Sequence, residues 1–188
     1  PFSNNATIAS YPKMVAENEL PDGMDSATLH ALFSRLNDAE SVEMPTAVGF
    51  CMWIRRAAWR AAGGFDTIFG RGYGEEVDLC CRLALDGWKH ILATDVFVFH
   101  QGGVSFGAEA VERRRVAQEI VDQRFPDYAE AVQAWIREDP AMPYRLAVDL
   151  ERLNQRRGPR WLFVSHHYGG GVQQHIDDLV ALIRDELD

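Results

Sequence analysis

Between Ser26 and Leu36 the apolar residues Ala27, Leu29, Leu32, Phe33 and Leu36 recur with helical spacing, which predicts one amphipathic helix after a loop-rich opening that contains Pro12 and the Pro21-Asp22-Gly23 turn. The run Thr46 to Ile54 (TAVGFCMWI) is nearly continuous in apolar residues, with β-branched and aromatic members. It predicts a strand buried on both faces. Arg55 to Ala62 reads as a short helix stopped by Gly63 and Gly64. Glu75 to Asp86 reads as another, with Val77, Cys80, Leu83 and Ala84 at helical spacing, acids in the first turn and Gly87 behind it. Two short strands follow, His90 to Ala93 and Val96 to Phe99. From Ala108 to Arg157 the pattern is mainly helical, broken at Pro126, Pro140 and Pro143. The tail predicts a strand at Trp161 to Val164, a tight loop at Ser165 to Gly171 and an amphipathic helix at Val172 to Leu187. That is one βα unit with no second strand after it.

The 188 residues suffice for one ordinary domain, and 47% hydrophobic with 25% charged residues is the composition of a packed globular chain. The net charge of −9 repels phosphate backbones and argues against nucleic acid as a partner. Three cysteines, Cys51 and the adjacent Cys80 and Cys81, make a disulfide framework improbable. They are expected in the core of a protein from a reducing compartment. No stretch approaches the ~20 apolar residues of a membrane span, and the opening residues lack the basic and apolar regions expected of a signal peptide. A chain that opens at Pro1 without an initiator Met is expected to be part of a longer protein.

The densest group of chemistry-bearing residues is Gly72 to Arg82, GYGEEVDLCCR. A glycine-flanked loop there delivers Glu75 and Glu76 to a helix start, where they serve either as a base facing a cleft or as simple complements of the helix dipole. His100 closes an apolar strand ahead of Gly102 and Gly103, as a metal ligand, a phosphate contact or a hydrogen-bonded structural residue. No Asp-x-Asp occurs. Glu76 and Asp78 come nearest to one, but on a helix their side chains diverge by about 200° and make a poor metal clamp. Gly169, Gly170 and Gly171 precede the tail helix, as an anion-binding loop or a plain tight turn. His166 and His167 read as loop residues.

Gly-Gly-Phe-Asp at Gly63, then GYGEEVDLCCRLALDGW, a hydrophobic strand and FHQGGVSFG together strongly resemble the C-terminal half of family 2 glycosyltransferases of the GT-A fold, notably bacterial polysaccharide and rhamnosyltransferase-like members. The opening PFSNNATIASYP resembles the segment that follows the nucleotide-binding half in that group. What the resemblance implies is an α/β fold, a partial, Rossmann-like GT-A domain without its nucleotide-binding N-terminal half. On this division residues 1–107 are the acceptor side of the transferase, 108–157 a helical connector, and 158–188 the first βα unit of a second, family 4-like GT-B domain, resembled by WLFVSHHYGGGVQQHI.

The implied reaction is inverting transfer of a sugar from a nucleotide-sugar donor to a hydroxyl of a glycan or lipid-linked saccharide. A divalent metal, Mn2+ or Mg2+, sits on the diphosphate. The family's Glu-Asp pair falls on Glu75 and Glu76, making Glu76 the base and Glu75 an acceptor contact. The second member here is Glu instead of the usual Asp. Tyr73, Gly74, Asp78, Gly102 and Gly103 fall near the substrate, Asp78 and Arg82 also serving to stabilise the loop and helix. His100 matches a histidine near the metal, whose Asp-x-Asp ligands belong ahead of Pro1. The implied location is cytoplasmic, with membrane association through the parent protein or the acceptor, and the chain alone is expected to show little turnover. Two other readings stay open: a non-catalytic module that holds glycan or nucleotide sugar, and a helical connector that self-associates as a homo-oligomer.

Overall fold

In the computed structural model, residues 1–70, 73–101, 110–157, 161, 163–165 and 169–187 are described. Helix α1 spans Ser26–Leu36, as its periodicity predicts, because Asp25 caps it by accepting from the Thr28 N–H at 2.7 Å. Its inward face, Leu29, Leu32 and Phe33, is buried. Removing side chains of this size from water contributes about 1.5–3 kcal/mol each. Two strands frame the helix: β1 (Phe2–Ser3) pairs in parallel with Phe97–Val98, placing Phe2 opposite Phe97. Phe33 of α1 stacks on the Phe97 ring with centroids 5.7 Å apart, and lies 5.0 Å from the ring of Phe2.

Strand β2 (Ser41–Met44) runs antiparallel to β3 (His90–Ala93), in a register that sets Val42 against Leu92 and Met44 against His90. Strand β4 is the Phe97–Val98 segment already met. The result is a mixed α/β architecture, mostly helical, with two small two-stranded sheets. Asn37, almost fully buried at the end of α1, donates to the Thr94 carbonyl at 3.0 Å and so ties α1 to the chain beyond β3.

The expected strand at Thr46 to Ile54 does not form. Residues Gly49–Cys51 make a 3-10 turn, with Val48 and Met52 extended on either side. An apolar run specifies burial, but a strand also needs a neighbour for its N–H and C=O groups, and none of the described strands lies alongside. Its apolar character is spent in part on solvent: Trp53 is fully exposed. Cys51, expected in the core, is an exposed free thiol, whereas Cys80 and Cys81 are buried.

Helix α2 (Arg56–Ala62) ends where Gly63 turns left-handed at φ 71°. Helix α3 (Glu75–Leu85) packs Leu79 and Leu83 on Ala58 of α2, with Met52, Ile54 and Trp88 around them. Three further helices follow, α4 (Ala110–Arg124), α5 (Tyr128–Glu138) and α6 (Met142–Gln155). Pro126 and Pro140 fall between helices. Pro143 does not interrupt one, because it sits in the first turn of α6, where the missing N–H has no intrahelical acceptor to lose.

Two compact units result, Pro1–Leu153 and Asn154–Asp188. Trp135 of α5, Val148 of α6 and Ala141 just ahead of α6 belong to the same core cluster as Phe2, Phe33 and Phe97. The Trp135 indole donates to the Glu43 carbonyl at 3.0 Å, and the Tyr11 hydroxyl donates to Asp149 at 2.6 Å. In the second unit, α7 (Gly171–Leu187) follows Gly169 and Gly170, both at positive φ. The strand expected at Trp161 to Val164 is not formed at Trp161, Phe163 or Val164. Among the described residues no helix is long and apolar enough to cross a membrane.

Candidate active site

The acidic pair sits where the sequence predicts, at the first two positions of α3. Gly74 caps that helix at φ 87°, a left-handed backbone that L-residues with a Cβ adopt only under strain. A second constraint acts there too: a Cβ at Gly74 would lie 2.8 Å from the Phe69 ring and 3.0 Å from Ala117. Position 74 therefore requires glycine on both counts.

Glu76 is half-buried, and its side chain lies across the backbone of Gly49, so close that a Cβ at Gly49 would stand 3.2 Å from the Glu76 Cγ. Among the described residues no cation pairs with it. Burial pushes its carboxyl above the usual glutamate range; the Glu75 charge adds to the shift, and backbone N–H groups at the helix start oppose it. Such a carboxylate is closer than an ordinary one to the proton affinity of a general base at neutral pH. Beside it, the Glu75 Oε2 is buried without a hydrogen-bond partner among the described residues.

His100 approaches the same turn from the other side of the sequence. Its ring lies 5.0 Å from the ring of Phe50, the residue after Gly49, and its Nδ1 is buried without a partner among the described residues. The 3-10 turn Gly49–Cys51 thus touches Glu76 through Gly49 and His100 through Phe50. Asn4 holds the His100 backbone through both its N–H and its carbonyl. On α5, burial pushes the Tyr128 hydroxyl up to about 12, and Cys80, Cys81 and Glu76 add to the shift.

Asp78 and Arg82 are framework. Asp78 is wholly buried, accepts from the Arg82 Nε at 2.7 Å and from the Arg124 Nη1 at 2.6 Å, and has no surface left for a substrate. Arg82 also donates to the carbonyls of Ala62 and Gly64, pinning the Gly-Gly-Phe-Asp loop to α3. Tyr73 is gripped by Arg114, which donates to its hydroxyl at 2.9 Å and lies 4.6 Å over its ring. Gly72, Gly102, Gly103, His166 and His167 lie outside the described residues.

Gly49, Phe50, Asn4, Arg124 and Tyr128 were not singled out by sequence reasoning. A signal existed only for Gly49: a glycine inside an apolar run marks close approach of another group.

An open trough of about 910 Å³ is lined by Met44, Val48, Met52, Trp53, Ile54 and Trp88 among others. Neither Glu76 nor His100 lines it; Cys51 and Cys80 do. The helix that carries the acidic turn borders the trough through Cys80. Among the described residues no group of three or more His, Cys, Asp or Glu side chains converges on a point where a metal ion would sit. The described residues therefore do not by themselves make a site for the divalent ion that the resemblance implies. Compared with known proteins, the chain matches no family model, no curated protein and no solved structure.

Proposed function

We propose that the Gly74–Glu76 turn is the acceptor-activating edge of a family 2, GT-A type sugar transferase. The Glu76 carboxylate takes the proton of an acceptor hydroxyl while that oxygen bonds to the anomeric carbon of a nucleotide sugar. The bond from that carbon to the diphosphate breaks with its electron pair, a nucleoside diphosphate leaves, and the configuration inverts. Glu75 holds a second acceptor hydroxyl. Donor and metal are gripped by residues other than those described in this chain, with His100 close to them.

The observation that supports this reading is the state of Glu76: a half-buried carboxylate, raised in proton affinity, on a turn whose geometry demands glycine, with no cation beside it among the described residues. A carboxylate kept only for stability is normally paired or hydrated. The tail, Gly169 to Leu187, is read in the same way as the opening of a second, GT-B type transferase, on the resemblance of its loop and helix.

The test is release of nucleoside diphosphate from a panel of nucleotide sugars by the protein that carries this chain, with and without E76Q. Turnover is expected to fall by about 10²–10⁴-fold with donor affinity little changed. An E76Q protein within a few-fold of wild type refutes the base assignment. Calorimetry on the 188-residue chain alone is expected to show weak donor binding.

A further inference from the structure

Helix α4 carries a run of charges, Glu112 to Arg115, that in sequence looks like nothing more than a solvated face. Its contacts are more specific. Arg114, Ala117, Val121 and Arg124 recur at three- and four-residue intervals and so share one face. Along that face Arg114 meets Tyr73, Ala117 meets Gly74, and Arg124 meets Asp78, in the same order on both partners. Ala117 and Val121 are the buried members of the stripe.

Arg124 is the richest contact. Its Nη1 donates to Asp78 at 2.6 Å and to Asp66 at 2.8 Å, and its guanidinium lies 5.7 Å over the ring of Phe69. Phe69 is the ring against which Gly74 is packed. One side chain on α4 therefore reaches three parts of the acidic turn's support: the buried carboxylate one turn into α3, the aromatic ring under Gly74, and the loop that carries Asp66.

We propose that Arg124 is a positioning residue for the Glu76 carboxylate, holding the Gly74–Glu76 turn in place through Asp78 and Phe69, with Arg114 as a second, weaker clamp on Tyr73. Release of α4 frees the turn, and Glu76 then leaves its seat on Gly49 for water. The assignment rests on the reading of Glu76 as a base only for its purpose. The coupling itself is a property of this chain and is measured without sugar transfer, so either idea can fail while the other stands.

The experiment follows the Glu76 carboxyl by NMR titration in the 188-residue chain, together with exchange of the Asp78 amide, which bonds the Gly74 carbonyl at 2.8 Å. Groups able to perturb the titration are Glu75 on the same helix, Cys80 one turn on and Tyr128 from α5. In R124Q the Glu76 midpoint is expected to fall toward the ordinary glutamate value, and Asp78 exchange to rise at least tenfold. R124K keeps the charge but replaces the guanidinium, whose Nη1 reaches both Asp66 and Asp78 while its plane lies over Phe69, with a shorter ammonium, and falls between. R114Q shifts both readouts in the same direction by less.

Tyr11→Phe is the control. It removes the hydrogen bond to Asp149 far along the chain and lowers stability, yet it should leave the Glu76 midpoint where it was. A folded R124Q chain with unchanged midpoint and exchange overturns the proposal, as does a Tyr11→Phe chain that shifts the midpoint equally. If R124Q does not fold, R124K at wild-type values on both readouts overturns it instead.

Discussion

Asn4 and His100, 96 residues apart, are joined by two hydrogen bonds: the Asn4 Oδ1 accepts from the His100 N–H at 2.7 Å, and its Nδ2 donates to the His100 carbonyl at 3.0 Å. The pair fixes the backbone of His100 while the imidazole packs against Phe50, so the ring's position depends on a residue distant in sequence but in direct contact. Asn4 is itself buried. Asn4→Ala should lower stability by about 2 kcal/mol, from two net hydrogen bonds and the hydration demand of the groups left behind. It should also move the His100 ring resonances in an NMR spectrum. Urea denaturation measures the first; a loss under about 0.5 kcal/mol removes the Asn4 clamp from the description of the site.

The raised proton affinity of Glu76 makes the chain's stability depend on pH with a definite sign. Above the ordinary glutamate range and below the folded-state value, the folded chain still holds a proton that the unfolded chain has released. Stability therefore falls as pH rises through that window, and above it the whole penalty is present. E76Q abolishes the penalty, so the variant should be more stable than wild type at neutral pH. The difference should shrink to nothing below the ordinary glutamate range. Melting temperatures of both proteins across pH check this. The opposite slope, with wild type gaining on E76Q as pH rises, would mean that Glu76 is ion-paired and unsuited to act as a base.

The elements legible in the sequence are those whose determinants are local. Helix α1 has its cap at Asp25 and its apolar stripe within eleven residues, and α2 and α3 stop at glycines that take positive φ. For the same reason Glu75 and Glu76 could be placed at a helix start without coordinates. What escaped is what depends on distant partners. Thr46–Ile54 has a strand's composition but none of the described strands beside it, and β1, only Phe2–Ser3, is too short to show any period and exists because Phe97 lies opposite. The surroundings of the acidic turn were equally hidden. Gly49 lies in a different segment of the chain, and Arg124, 46 residues from Asp78, belongs to a helix whose exposed charges resemble any solvated face.

Trp53 is fully exposed, yet it belongs to an apolar trough of about 910 Å³ that also exposes parts of Met52, Ile54 and Trp88. An indole in water makes no native contact to lose, but a contiguous apolar surface of this kind is adhesive. W53K should therefore leave stability within about 0.5 kcal/mol of wild type, as for a surface substitution away from packed or capped positions. At the same time it should reduce both binding of an apolar fluorescent dye and self-association at high concentration. Sedimentation velocity and denaturant titration on the same samples separate the two effects. If W53K instead loses more than about 1 kcal/mol, the indole is packed in solution, and the run Thr46–Ile54 has found there the burial that its composition calls for.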